Sequence, residues 1–476
     1  MVDFDFILLA LTLFFPLGAF TSSRLCVELP SQASIGAIIL RAGRIYWVGL
    51  ILLLCSGCAS THTQREEYVA MYQHGALSSA ESKLTTVIQQ ELPDDDYRRS
   101  KDAVCLLLDR ATIRFADGEI DGAIKDYQLA IEALDYYNQD SPIEALSKTL
   151  LEDGFGAYPG TDFEQILARL YFALALLQQG DENNAFALLR QGEELQRQKQ
   201  EIYRNAPFTQ HYQIADNAVA KHLFASLLES RGDVSNADIL HRQATQIVGP
   251  DCMPSEASPD ASAKVLILCH NGNAPYKVSA ISEASVASAA ALEILLSSCR
   301  VRPAYSSLAG IPTPALCQTF AAMPQPVFAC IDDQRRALKT WYDVSYTAQE
   351  QLQQEIPVIA ARGVARFILR RSAVACAQKQ DPCLGAIVDI GMLIANANTR
   401  ADTRSWATLP SAIDLANYNL RPGEHALTIE VESFHGCSFQ QKFRLQLRAH
   451  DLCVINIFNI HPGVSSVLIP KKFIIQ

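Results

Sequence analysis

Two cysteines, Cys55 and Cys58, end an apolar stretch near the start of the chain with the spacing C-x-x-C. Such a pair can be a redox-active dithiol, or one of its thiols can carry a covalent lipid. A redox pair needs a thiol of lowered pKa at a helix N-terminus. Cys55 instead lies within the apolar run. The sequence therefore favours lipid attachment over a redox pair or an uncleaved membrane anchor.

The residues around the pair indicate which cysteine is modified. Residues 45–55 form a short apolar core after two arginines, and small residues follow it, which is typical of an export signal. This core is shorter than the roughly 20 residues of a transmembrane helix. It resembles the lipobox of bacterial lipoproteins, in which a signal peptidase cuts before the cysteine that receives the lipid. The resemblance makes Cys58 the lipidated residue, although Cys55 stands where that family prefers leucine.

Residues 1–40 match an export signal poorly, because aspartates precede their own apolar run. We therefore expect translation to begin near Leu40, with residues 1–57 comprising an upstream segment and the signal peptide. Ala59 after the cysteine resembles the pattern of lipoproteins sent to the outer membrane. The resemblance thus implies a lipid-anchored protein of the bacterial outer membrane that faces the periplasm.

Asp402, Arg404 and Trp406 form the most site-like cluster in the rest of the chain. Their alternate spacing predicts that all three lie on one face of a strand. Arg404 could then bind a carboxylate of a ligand or stack on the indole. A structural Asp–Arg pair beside a packed tryptophan is the favoured alternative.

Arg362, Arg366 and Arg370 are four residues apart, which places them on one face of a predicted helix. Three guanidinium groups in a row could bind an anionic glycan or a phosphate. A solvated or ion-paired helix face explains the same spacing and is favoured.

Other residues give weaker indications. His435 and Cys437 could form a nucleophilic pair, but a surface histidine with a disulfide between Cys437 and Cys453 is favoured. His270 is a single histidine in a predicted turn. The mature chain has neither a metal-ligand spacing nor a common catalytic motif. We therefore predict a protein without catalytic activity, metal or cofactor.

A ladder of small residues indicates what positions these side chains. The pattern A-x6-G-x4-A-x6-[A/G] occurs three times, and Tyr68, Gly75, Ala80 and Val87 form a degenerate earlier copy. The three full copies are Ala111, Gly118, Ala123, Ala130; Ala173, Gly180, Ala185, Gly192; and Ala225, Gly232, Ala237, Ala244. Each glycine is expected to lie between two paired helices.

This ladder resembles the tetratricopeptide repeat, a helix-turn-helix unit that commonly binds partner proteins. The glycines lie 43, 62 and 52 residues apart, against about 34 in that family. After a tether at 58–64, we therefore predict an irregular helical repeat domain over residues 65–248. Its function could be to bind an envelope protein on a concave surface or only to pack against the next domain.

Residues 249–263 combine proline, serine and aspartate and predict a linker. Beyond it, residues 264–476 predict an α+β domain. Leu427, Ile429 and Val431 alternate with polar residues, which predicts a mainly antiparallel sheet whose one buried face packs on helices. Residues 346–375 predict one long helix with Pro357 near a kink or break. The expected fold class is thus α+β multidomain.

The motif D-T-R-x-W-x-T-L-P within residues 401–431 resembles a family of uncharacterised bacterial envelope lipoproteins. Residues 265–277 resemble the strand and N-G-x-A-P turn of the same family, in which helical repeats precede this domain. In some bacteria such genes lie beside a lipoprotein activator of penicillin-binding proteins. The resemblance implies cell-envelope biology by association, and it implies no catalytic residue.

Composition limits the class of partner. The net charge is -11 and only 19% of the 476 residues are charged, so nucleic acid is excluded as the main partner. The sequence predicts an envelope docking or scaffold protein, with a periplasmic glycan-binding module or enzyme at Asp402–Trp406 as the alternative. A deep polar pocket at Arg404 would favour the alternative, and exposed aromatic side chains on the repeats would favour docking.

Overall fold

The first part of the molecule contains eight helices among the residues that the structure describes. The computed structural model describes residues 59–137, 156–205, 214–252, 262–281, 312–317, 324–380, 401–432, 438–461 and 464–475. The early helices are α1 (Ala59–Gln73), α2 (Leu77–Glu91), α3 (Ala103–Asp117), α4 (Ile120–Tyr137), α5 (Asp162–Gln179), α6 (Glu182–Asn205), α7 (Ala218–Ser230) and α8 (Val234–Val248). They follow one another as four helix-turn-helix pairs, and the two helices pack on each other within the pairs α3–α4, α5–α6 and α7–α8.

The turn within each helix pair contains one of the four predicted glycines. Gly75, Gly118, Gly180 and Gly232 have φ angles of 76°, 85°, 101° and 83°. This left-handed conformation is easily adopted only by glycine, and it ends the first helix of each pair. The alanines of the ladder are buried at 0% exposure, where the paired helices approach each other. The predicted repeat pattern is therefore confirmed.

The first helices of the last three pairs are buried on nearly every side. In α5, all residues from Asp162 to Leu177 except Phe172 are buried, and α3 and α7 are similar. One side of these helices contacts the second helix of the pair. The opposite side packs against a β-sheet from the later part of the chain, within one hydrophobic cluster.

That sheet has five strands in the order β11-β10-β1-β7-β6. Only β1 and β10 are parallel, and the other neighbours are antiparallel. The strands are β1 (Ala263–Asn271), β6 (Lys339–Asp343), β7 (Ala412–Leu420), β10 (Leu452–His461) and β11 (Val464–Leu468).

The central strand β1 is buried on both faces. Leu266 and Leu268 belong to the hydrophobic cluster that contains the helices. Val265 and Ile267 belong to a second cluster, which contains the apolar face of another sheet. The molecule therefore has three layers: helices, a five-stranded sheet and a four-stranded sheet.

The four-stranded sheet is antiparallel, in the order β5-β4-β8-β9. Its strands are β4 (Val327–Ile331), β5 (Gln334–Ala337), β8 (Gly423–Glu432) and β9 (Ser438–Leu447). The predicted alternation in β8 is confirmed, since Leu427, Ile429 and Val431 are buried. The predicted cover was wrong: these side chains pack on the five-stranded sheet and not on helices.

A two-stranded sheet and a long helix are the other main elements of the described part. Strands β2 (Tyr276–Ile281) and β3 (Pro312–Cys317) are antiparallel neighbours. Helix α9 (Val344–Gln380) covers the predicted span 346–375 and continues through Pro357 as one helix. The fold class is α+β with mostly antiparallel strands, as predicted.

The two boundaries expected from composition look different in the structure. The predicted tether at 58–64 falls largely within α1, because this helix begins at Ala59. From Gln64 onward the chain forms one compact unit, so the helical and sheet parts share a core across the predicted linker. Within that linker, Pro250–Cys252 forms a short 3-10 turn, and residues 253–261 lie outside the described part.

Candidate functional site

The segment 401–411 crosses the interface between the helices and the sheet. It contains a turn at Ala407 and Thr408 but no strand, so the prediction that Asp402, Arg404 and Trp406 share a strand face was wrong. Its polar groups bind groups of the helical layer, and a strand would instead direct its backbone groups to neighbouring strands. We call residues 401–411 the interface segment.

Asp402 and Arg404 form a two-pronged ion pair. Arg404 Nε donates to Asp402 Oδ1 at 2.9 Å, and Nη2 donates to Oδ2 at 2.7 Å. Burial alone would raise the pKa of the Asp402 carboxyl, but the Arg404 hydrogen bonds and charge outweigh it and lower the pKa. The arginine side chain is only 11% exposed. The favoured prediction of a structural pair agrees with this geometry.

The remaining donors of Arg404 bind the helical part of the molecule. Nη1 donates to the backbone oxygens of Gly156 at 2.8 Å and Lys101 at 3.2 Å, and it lies 3.4 Å from Asp102 Oδ1. The guanidinium lies over the ring of Tyr158 at 5.4 Å, whereas the sequence suggested the indole of Trp406. Arg404 therefore joins two parts of the fold.

Trp406 is 2% exposed and fills the centre of the interface. Its indole Nε1 donates to Thr112 Oγ1 at 3.0 Å and Thr408 Oγ1 at 3.1 Å, and its backbone N–H donates to Glu164 Oε1 at 2.8 Å. The ring packs edge-on against Tyr171, with centroids 5.3 Å apart. Each polar atom named here has a protein partner, so the residue acts as a packed anchor.

Asp109 on α3 is the residue at this interface that the sequence analysis missed. Its Oδ1 accepts hydrogen bonds from the backbone N–H groups of Ala407 and Thr408 and from the Thr408 hydroxyl. Its Oδ2 accepts from the Tyr68 hydroxyl at 2.8 Å. Burial raises the pKa of Asp109, although the Arg65 charge and these bonds oppose the shift. A charged pair, Asp109 and Arg110, within an apolar helix face was the available signal.

A small cavity lies beside the interface segment. It measures about 20 Å³, which is room for about one water molecule, and it is bordered by Trp406, Glu164, Lys277 and Glu355. Burial raises the pKa of Glu355, while the charge of Lys277 opposes this rise. A substrate does not fit in this volume. Among the described residues, this cavity is the space beside the interface segment, and Arg404 is not part of its lining.

The predicted arginine row lies on α9, and its helical spacing agrees with the structure. Arg362 is half-buried, and its side chain is described. The side chains of Arg366 and Arg370 lie outside the described residues. Their role as an anionic-ligand face therefore stays a prediction.

His270 and the cysteines complete the comparison with the predicted sites. His270 is buried: its Nδ1 shares a hydrogen bond of 2.8 Å with Tyr171 Oη, and its Nε2 lies 3.3 Å from Asn456 Oδ1. His435 and Cys437 lie outside the described residues. The six described cysteines are free thiols: Cys105, Cys252, Cys269, Cys317, Cys330 and Cys453.

The predicted disulfide between Cys437 and Cys453 is not formed, since Cys453 is a free, buried thiol opposite Val265. Ser438, which follows Cys437, begins the ten-residue strand β9. That strand extends for about 30 Å before the chain turns into β10. A disulfide needs α-carbons within about 7 Å of each other.

Cys58, the predicted site of lipid attachment, lies outside the described residues. None of the described helices is both long and apolar enough to cross a membrane. In the described ranges, no group of three or more His, Cys, Asp and Glu side chains is arranged to hold a metal ion.

Comparison with known proteins found no matching family model and no curated relative.

Proposed function

We propose that the protein is a non-catalytic docking protein of the bacterial envelope. Acylated Cys58 holds it in the outer membrane, facing the periplasm, and its helical repeats bind an envelope protein. The lipobox-like sequence at Cys58 and the resemblance of residues 401–431 to envelope lipoproteins support this location. Cell-wall assembly is the process that this resemblance suggests.

The buried side of the repeats limits where a partner can bind. The inner helices α3, α5 and α7 already pack against the five-stranded sheet. A concave groove of the kind that repeat proteins offer to peptides is thus filled by the chain itself. A docking surface has to lie on the outer helices.

Helix α8 carries the observation that best supports docking. It belongs to the last helix pair of the array, and it exposes Val234, Ile239 and Ile247 by 57%, 49% and 43%. Ile239 and Ile247 are eight residues apart, so they lie on the same side of the helix about two turns from each other. Terminal repeats normally present a polar outer face. Apolar side chains here favour a partner that continues the stack with an apolar helix face.

Affinity capture from cross-linked membranes tests this surface. We expect the double variant Ile239→Lys, Ile247→Lys to lose one envelope protein that the unchanged chain recovers, because two charges would be buried at the contact. Ile202→Lys is the matched control, since Ile202 is 62% exposed on α6. Recovery of the same proteins with all three chains would refute docking through α8.

The anchor is tested separately by lipid labelling in cells. Cys58→Ser should accumulate as unprocessed precursor without label, because the modified thiol is missing. Cys55→Ser should still be cut and labelled, because this residue is discarded with the signal. Continued labelling of the Cys58 variant would contradict the assignment.

The alternative of a glycan-binding or catalytic site at Asp402–Trp406 gains no support from the geometry. Both charged side chains are paired with protein groups, and the adjoining cavity holds about one water molecule.

A further inference from the structure

An open cleft of about 660 Å³ lies at the end of the helical layer, far larger than the cavity beside Trp406. Its walls are the last turns of α6, the segment 214–216 before α7, and the first turns of α9. The N-terminal residues of α5 form its floor. This volume is within the range of about 300–1,000 Å³ that is usual for small-molecule sites.

Three carboxylates line the cleft, those of Asp162, Asp216 and Glu350, and each has a protein partner. Glu350 accepts from the Tyr346 hydroxyl. Asp162 Oδ1 accepts from Lys199 Nζ at 2.6 Å, and Asp162 Oδ2 accepts from the hydroxyl of Tyr203. Asp216 Oδ1 accepts from Gln200 Nε2 at 3.1 Å and lies 3.8 Å from Lys221 Nζ. An ionic ligand would therefore have to compete with existing partners. The other two charged residues of the lining, Arg204 and Glu350, have opposite signs, so the electrostatics do not select an ion.

Helix ends contribute to this charge balance. Helices α5 and α7 begin beside the cleft, and the positive ends of their dipoles point towards it. Asp162 is the first residue of α5, and Asp216 lies two residues before α7, so each carboxylate is close to one of these helix ends. Both charges thus have a structural explanation.

The other lining groups suit hydroxyl-rich molecules. Gln200 and Gln351 already donate to Asp216 and Glu355. Each amide has two donor hydrogens and two acceptor lone pairs, so these bonds use only part of what it can offer to adjacent sugar hydroxyls. Tyr346 is 58% exposed at the wall formed by α9. An exposed aromatic ring offers an apolar face on which the C–H face of a sugar can pack.

We propose that this cleft binds a neutral carbohydrate, with Tyr346 as the stacking platform and the glutamine amides as hydrogen-bonding groups. This site is separate from the docking surface on α8 and does not depend on it.

Calorimetric titration of the full processed protein in detergent tests the site, with the neutral tetrasaccharides chitotetraose and maltotetraose as probes. We expect at least one to bind with a Kd on the order of 1 mM. Tyr346→Ala should weaken binding about tenfold, while Tyr346→Phe, which keeps the ring, should bind nearly as well. Tyr136→Ala is the matched control, because Tyr136 is 52% exposed on α4 and lies outside the cleft.

A second variant fills the cleft instead of removing a contact. Ala215 is exposed in its wall, so Ala215→Trp should block the sugar while leaving the core untouched. The proposal is overturned if neither tetrasaccharide binds at about 10 mM, which is ten times the expected Kd. It is equally overturned if Tyr346→Ala and Ala215→Trp bind as the unchanged chain does, or if anionic trigalacturonate binds more tightly than both neutral probes.

Discussion

Single buried polar residues hold the helices to the sheet. Asp109 accepts hydrogen bonds from the interface segment through Oδ1 and from Tyr68 through Oδ2. Arg404 of that segment in turn donates to the helical part of the molecule. The Asp402–Arg404 pair was predictable because its partners are two residues apart in the sequence. Asp109 was not, because it lies about 300 residues from Thr408 and spacing along the chain carries no information on such contacts.

Replacing Asp109 tests how much its hydrogen bonds to the interface segment contribute to stability. Asp109→Ala would leave the N–H groups of Ala407 and Thr408 buried without an acceptor, so we expect the free energy of unfolding to fall by about 3 kcal/mol. Asp117→Ala, at an exposed position of the same helix, should change it by less than about 0.5 kcal/mol. Urea denaturation measures both values, and equal losses would contradict the role given to Asp109.

The buried histidine predicts a pH dependence. Burial lowers the pKa of His270 from 6.5 to about 4, opposed only by its hydrogen bond to Asn456. Between these values the unfolded chain binds a proton that the folded chain does not, so stability falls as pH falls from 6.5 to 4. The loss from this group is about 3 kcal/mol.

His270→Gln isolates that contribution. We expect the variant to be less stable at pH 7, because the hydrogen bond with Tyr171 is disturbed, but to lose less stability than the unchanged chain on acidification. Unfolding free energies at pH 7 and pH 4.5 give the comparison. Identical losses in the two proteins would show that His270 does not titrate as described.

At the scale of helices and strands, local sequence patterns were sufficient to predict where elements form and which side is buried. They were not sufficient to predict which other element packs on that side. Four glycines and a ladder of alanines predicted the helix pairs because both features are dictated within a single pair. The alternation of Leu427 to Val431 predicted which side of β8 is buried. It could not predict that a second sheet covers this side, since an apolar face fits a helix or a sheet equally well.

Two glycines of the same repeat should respond in opposite directions to alanine. Gly180 has a φ of 101°, so Gly180→Ala should cost about 1 kcal/mol even though no atom lies within 4 Å of the added carbon. Gly192 lies within α6, where the added carbon would contact Arg169 Cβ at 3.7 Å, an ordinary distance. Gly192→Ala should therefore stabilise the protein by about 0.5 kcal/mol. Thermal unfolding compares them, and shifts of the same sign would contradict this assignment.

At the scale of the whole molecule, the five-stranded sheet makes the helical and sheet parts interdependent. Composition suggested two domains joined by a linker, because prolines cluster there. The structure instead shows both parts within one hydrophobic cluster, with Trp406 and Trp341 at the contact. No local pattern marks β1 as a central strand with a different layer on each face.

A shared core predicts a single unfolding transition. Circular dichroism follows mainly the helices, while fluorescence reports chiefly on Trp341 and Trp406 within the shared core. We expect the two signals to change at the same urea concentration, because neither layer keeps its buried surface without the other. Two separate midpoints would indicate independent domains.

The position of β1 also sets the order in which the chain can fold. This strand ends at Asn271, but its two neighbours are β7 at Ala412–Leu420 and β10 at Leu452–His461. Strand β1 therefore cannot pair with both strands until nearly the whole chain has been synthesised. Contacts so distant in sequence also form slowly. Until then the inner helices expose the apolar surface that the sheet later covers. A chain threaded across a membrane from its N-terminus would need protection from aggregation during that interval.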